Sequence, residues 1–85
     1  MKAIFSEIPA RVMRLVAMAF TIGKELHNDT KPKKTSLDYW NAAQRHLWSY
    51  MAGETHDPDT QIDNRIAAIA SLMMCVQRGF EETEK

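Results

Sequence analysis

Four carboxylates, Glu54, Asp57, Asp59 and Asp63, fall within ten residues of one another. Hard divalent cations such as Mg2+ or Mn2+ take oxygen ligands, usually a few carboxylates, with phosphate oxygens and water filling the rest. The cluster therefore points to metal-assisted chemistry on a phosphate, with Glu54, Asp57 and Asp63 as the candidate metal ligands. A polyphosphate also needs positive partners, and Lys24, Lys31, Lys33, Lys34, Arg45 and Arg65 are available. Lys24 and Arg45 are the candidate nucleotide-binding residues, and Arg45 would stabilise charge on the phosphoryl transition state. His46 beside it is the candidate catalytic residue with Glu54, either orienting the attacking water or locking the Glu54 carboxylate. The same residue types have plainer uses. Acidic residues ahead of a helix act as caps, and a histidine on an aromatic stripe is often a hydrogen-bonded core residue.

Other chemistries are excluded. The acidic loop lacks the ligand alternation and the glycine of a calcium EF-hand. No serine or cysteine sits in a recognisable nucleophile elbow. Cys75 is the single cysteine, which removes any internal disulfide framework or cysteine-based zinc site and fits a reducing compartment. Eleven Lys/Arg balance eleven Asp/Glu, which argues against a general nucleic-acid or membrane-surface binder working by bulk charge. The balance is uneven along the chain, because residues 1–34 carry seven basic and three acidic residues. An acidic segment facing a basic first half suits a nucleotide.

These side chains must be positioned by helices. A first helix is expected over residues 9–26, where Pro9 suits the opening turn. Ile8, Val12, Leu15, Val16, Ala19, Phe20, Gly23 and Leu26 form one apolar stripe there. The polar residues His27, Asn28, Asp29 and Thr30 end it, and the basic connector around Pro32 follows. Thr35 and Asp38 have the spacing of a capping box, opening a second helix over 37–52 that Gly53 stops. This helix carries two stripes: Leu37, Trp40, Leu47, Trp48 and Met51 on one, Tyr39, Ala43, His46 and Tyr50 on the other. A third helix over 60–79, capped by Asp59 or Thr60, has the spine Ile62, Ile66, Ile69, Met73, Val76 and Phe80. Spacings of 4, 3, 4, 3 and 4 make that spine a heptad seam. With Ala67, Ala68, Ala70, Leu72, Met74 and Cys75 between, the middle of the helix is apolar on nearly every side and should be buried all round. The methionines read best as core filler.

The sum is one all-α domain over 1–85, a three-helix protomer too small to cover its own third helix. A homodimeric or higher helical bundle pairing the third helices resolves this. The apolar segments 15–23 and 66–76 are too short to cross a bilayer. Arg11 and Arg14 precede the first of them, but Glu7, Pro9 and the helical period speak against a secretory signal, so a cytoplasmic protein is expected.

The run Tyr39-Trp40-Asn41-Ala42-Ala43-Gln44-Arg45-His46-Leu47-Trp48, then Gly53-Glu54 and Asp57-Pro58-Asp59-Thr60, resembles the N-terminal domain of phage-associated dATP/dGTP diphosphohydrolases. Leu15-Val16 and Phe20-Thr21-Ile22-Gly23 upstream are similar to that family's first helix. The likeness runs over about residues 8–77 with its specific centre at 45–60. It implies an all-α fold related to MazG-like nucleotide pyrophosphohydrolases, a divalent metal and a purine deoxynucleotide substrate, in the host cytoplasm if phage-encoded. The chain departs from the family where a glycine and one or two histidines follow the acidic loop: Gln61, Asn64 and Ala67 stand there instead. On the resemblance, Asn64 joins the nucleotide-binding candidates. The Glu-Glu-x-x-Glu signature of MazG proteins is missing, and Glu81-Glu82-Thr83-Glu84 does not match it. A metal-dependent pyrophosphohydrolase is the first expectation. The alternatives are a non-catalytic oligomer that binds or sequesters a nucleotide or cyclic nucleotide, and a small phage inhibitor of a host protein.

Overall fold

The structure, a computed structural model, describes residues 1–26 and 33–84. It is all-α. A 3-10 turn at Phe5–Glu7 leads into helices α1 (Ala10–Leu26), α2 (Ser36–Met51) and α3 (Asn64–Thr83). The expected end of the first helix at residues 27–30 and the connector residues Lys31 and Pro32 lie outside the described residues.

Local sequence sets both ends of α2. The Thr35 hydroxyl accepts from the Asp38 amide at 3.2 Å, while the Asp38 carboxylate accepts from the Thr35 amide at 2.9 Å, so each satisfies a donor the helix leaves unpaired. The Thr35 backbone bond, followed by the hydroxyl contact, holds the Asp38 carboxyl below its ordinary value. At the other end Gly53 takes φ 95°, a left-handed conformation that an L side chain rarely adopts.

The start of α3 differs from the expectation by four residues. Asp57 captures the amides of Asp59 and Thr60 at 2.8 and 3.1 Å, closing a turn where a helix was expected to begin. Gln61 then adopts φ 64°, and an antiparallel bridge joins His56 to Asp63 before the helix begins. Asp63 is the N-cap, its carboxylate accepting from the Arg65 amide at 2.8 Å. At the far end, Gly79 does not stop α3, which continues to Thr83. The extra turn carries Glu81 and Glu82 back to the start of α2. The Ser36 amide donates to Glu82 at 2.9 Å, the Ser36 hydroxyl bonds the same carboxylate, and Lys33, just ahead of α2, pairs with Glu81 at 3.4 Å.

These ties make α2 and α3 an antiparallel hairpin, with α1 packed along α3 over a shorter stretch. The second stripe of α2 faces α3, where Ala43 is fully buried. Val16, Ala19 and Ile66 form the core between α1 and α3, flanked by Phe20, Ile62 and Ala70. The buried apolar side chains among the described residues are Val16, Ala19, Ala43, Ile66 and Ala68. Three of the five are alanine, so this core removes little apolar surface from water. The other stripe of α2 stays exposed, as do Ile69, Met73, Val76 and Phe80 from the seam of α3. Within one protomer, therefore, α3 is not buried all round. Met13, Met18 and Met73 are likewise exposed rather than core filler.

Candidate functional site

The loop between α2 and α3 is built on backbone bonds. The Glu54 amide donates to Ser49 O at 2.9 Å, the Asp57 amide to Ile62 O at 2.8 Å, and the Gln61 amide to Asp57 O at 2.8 Å. At its centre sits Asn64, 1% exposed and the only buried polar residue among those described. Its amide donates to Thr55 O at 2.9 Å, and its side-chain Nδ2 donates to Glu54 O at 2.7 Å. That second bond fixes the orientation of the carboxamide, so Oδ1 is the atom 2.9 Å from His46 Nδ1. Oδ1 can only accept, which places the imidazole proton on Nδ1. In the neutral ring, Nε2 then carries the free lone pair. Asp57 Oδ2 lies 3.9 Å from the same Nδ1.

His46 lines a groove of about 1090 Å3 between α1 and the α2–α3 hairpin. The small-molecule sites of proteins occupy roughly 300–1,000 Å3, so a nucleotide fits the size. Lys24 of α1, Lys33, Lys34, Arg45 of α2 and Arg78 of α3 line it, against two acids, Asp57 and Asp59. Phe20 and Tyr39 supply aromatic edges, and Lys34 lies 5.7 Å above the Tyr39 ring. Three positive elements converging on one concavity attract phosphate more strongly than the zero net charge suggests.

The structure thus brings together Lys24, Arg45 and His46 of the sequence candidates, with Asp57 at the rim. Asn64 lies beneath the groove, where its polar atoms are committed to the protein. Glu54 is exposed and outside the groove lining, and its backbone carbonyl accepts from Asn64. Asp63 accepts two side-chain bonds from Arg65, at 2.8 and 3.1 Å. The Arg65 side-chain bond, the largest cause, pulls the Asp63 carboxyl from 3.8 to about 2. Arg65 also lies 4.8 Å from the Tyr50 ring centre, outside the groove lining. Among the described residues, no three His, Cys, Asp or Glu side chains are grouped so as to hold a metal ion. Trp40 and Trp48 do not line the groove; its aromatics are Phe20 and Tyr39.

Sequence reasoning overlooked Arg78. Its Nη1 bonds both Glu81 oxygens and its Nε is buried without a partner. The signal was present: Ala67, Ser71, Met74 and Arg78, at steps of 4, 3 and 4, all line the groove. An arginine closing a stripe of mostly small residues marks a concave face rather than a solvated one.

Fold and site together define an all-α protomer with a basic groove floored by a histidine–asparagine pair. The chain belongs to the dATP/dGTP diphosphohydrolase N-terminal domain family, whose family model matches residues 1–85. No curated protein and no solved structure matches it significantly.

Proposed function

We propose that this domain binds the triphosphate of a purine deoxynucleotide in the basic groove and serves a nucleotide pyrophosphohydrolase in the cytoplasm. The observation that carries the reading is the convergence of Lys24, Lys33, Lys34 and Arg45 beside a His46 whose tautomer is fixed from below. The cations neutralise and orient the phosphates. His46 Nε2 accepts a proton from water as the water oxygen forms a bond to phosphorus. The phosphoanhydride bond breaks, the monophosphate and pyrophosphate separate, and the histidine proton returns to solvent. Asn64 and Asp57 hold the imidazole in register for this step.

The carboxylates expected to hold Mg2+ or Mn2+ do not fit a shared ion in this chain. Asp63 is bonded to Arg65, Asp57 holds two backbone amides, and Glu54 stands apart from the groove. The same observation favours a second reading, in which the groove binds and sequesters a nucleotide or cyclic nucleotide without cleaving it.

A thermal-shift panel of dATP, dGTP, their monophosphates and a cyclic dinucleotide, run with Mg2+ and with EDTA, separates the readings, because specific binding raises Tm by mass action. A dATP or dGTP shift with pyrophosphate released supports the first reading. A shift in EDTA with the nucleotide recovered intact supports the second. No shift with any nucleotide overturns both and leaves a protein-binding module.

A further inference from the structure

The groove is not uniform along its length. Tyr39 and Ala42 line it near the start of α2, and Arg45 and His46 line it further along. Tyr39 and His46 are separated by about 10 Å of helix rise. Because α3 runs the other way, Arg78 meets the Tyr39 end and Ala67 the His46 end. The two acids of the lining, Asp57 and Asp59, belong to the loop at the His46 end. The far end holds Lys33, Lys34 and Arg78, with no acid in the lining there. A phosphate chain that begins beside His46 is therefore drawn away from the loop and toward Arg78.

Arg78 has one edge in use and one open. Its Nη1 bonds Glu81 Oε2 at 2.7 Å and Oε1 at 3.0 Å, and Lys33 reaches the same Oε1 at 3.4 Å. The other edge of the guanidinium, Nε and Nη2, makes no bond among the described residues, and Nε is buried. That edge is a fork that matches two oxygens of one anion. Arg65 uses the same edge on Asp63, at 3.1 and 2.8 Å. A buried N–H without an acceptor is costly, and an anion on this edge supplies the missing bond. Glu81 stands just outside the groove lining. It walls a recess of about 160 Å3 that shares Lys33, Lys34 and Arg78 with the groove.

We propose that Lys33, Lys34 and Arg78 form the subsite for the terminal phosphate of the nucleotide, with Glu81 as its internal counter-ion. This subsite rests on the reading of the groove as a nucleotide site and gives the nucleotide a direction in it. The reacting phosphate sits at His46, the outer phosphates extend toward the start of α2, and the base is left the loop end. Arg78 receives two phosphate oxygens on its Nε–Nη2 edge, and the lysines neutralise the remaining charge. Triphosphates are thereby selected over monophosphates, whose single phosphate stays at His46. Glu81 is a positioning residue: it holds the guanidinium through Nη1, while its charge opposes the incoming phosphate.

Calorimetric titration with dGMP and with the α,β-methylene analogue of dGTP, which cannot be cleaved at that bond, tests the subsite. The wild type should bind the triphosphate analogue about 30-fold or more tighter than dGMP. Arg78→Gln should lose about 30-fold for the analogue and stay within about twofold for dGMP, since only the analogue reaches position 78. Glu81→Gln keeps an acceptor for Nη1 without the charge, so the analogue should bind about fivefold tighter, with dGMP unchanged. A residue that only braces the end of α3 would give no such gain. Should Arg78→Gln lose its helical circular dichroism, Arg78→Lys takes its place; it keeps the charge, lacks the fork and should lose about tenfold. Equal losses for both ligands, no loss for either, or a Glu81→Gln variant that gains nothing would overturn the subsite and leave the groove as the nucleotide site. A wild type that binds neither ligand would overturn the nucleotide reading together with the subsite.

Discussion

The two sides of the α2–α3 hairpin come from the same two helices and differ in what they offer water. On the side facing α1, Arg45, His46, Ala67, Ser71, Met74 and Arg78 line a concave, basic surface whose histidine is held from below by Asn64. On the other, Trp40, Trp48, Met73, Val76 and Phe80 stand exposed. A buried polar hub gives the first side one geometry, because each unmade bond there costs the full desolvation of a donor or acceptor. The second side has no such specification and gains only by being covered. One helix pair therefore presents two different surfaces, a polar groove and an exposed apolar face, on roughly opposite sides.

The comparison breaks most sharply at Asn64. Asn64→Ala strips the acceptor from His46 and the donor from the Glu54 carbonyl, leaving both without partners. The expected destabilisation in urea unfolding is about 2–4 kcal/mol. A loss under ~1 kcal/mol would mean the loop holds itself and the hub is incidental. His46→Ala comes next, in activity rather than stability. Under the hydrolase reading, pyrophosphate release should fall by about 100-fold or more with nucleotide affinity little changed. An equal loss of affinity and turnover would make His46 a phosphate ligand instead.

How far the sequence revealed this depends on how local each signal is. The capping box at Thr35 and Asp38 and the stop at Gly53 were legible because each is settled within four residues of backbone. The start of α3 was not. Asp59 and Thr60 look like caps, yet their amides are taken by Asp57, a competition visible only once the turn closes. The expected helix ends at Gly79, but bonds from Lys33 to Glu81 and from Ser36 to Glu82 hold a further turn beyond it. Lys24, Arg45 and His46, singled out by charge and chemistry, line one groove. Asn64 looked like a lost histidine and is the hub. Asp63 looked like a metal ligand and is a cap, because nothing in the sequence says that Arg65 folds back onto it.

That cap gives a smaller effect with a pH signature. Asp63→Ala should cost about 1 kcal/mol at neutral pH. With the native carboxyl pulled down to about 2, below its ordinary 3.8, the native state keeps the charge where the unfolded chain takes up a proton. The contribution is thus full above about pH 4 and is lost as pH falls toward 2. Acid unfolding of wild type and Asp63→Asn should therefore converge near pH 2, and curves parallel down to that pH would show the ion pair to be inert. The smallest expected effect sharpens the site boundary. Glu54→Gln should leave nucleotide affinity within about twofold, because Glu54 holds Asn64 through its carbonyl. A tenfold or larger loss would return Glu54 to the binding site.

The central claim is that the groove, and not the acidic loop, receives the nucleotide. Calorimetric titration of dGTP and dATP into the wild type and into the Lys24→Glu, Arg45→Glu double variant tests it most directly. Reversing two charges that face the same phosphates should weaken binding by about 100-fold, with stoichiometry near one per wild-type chain. Wild-type binding that the double variant retains unchanged would place the nucleotide elsewhere and contradict the account.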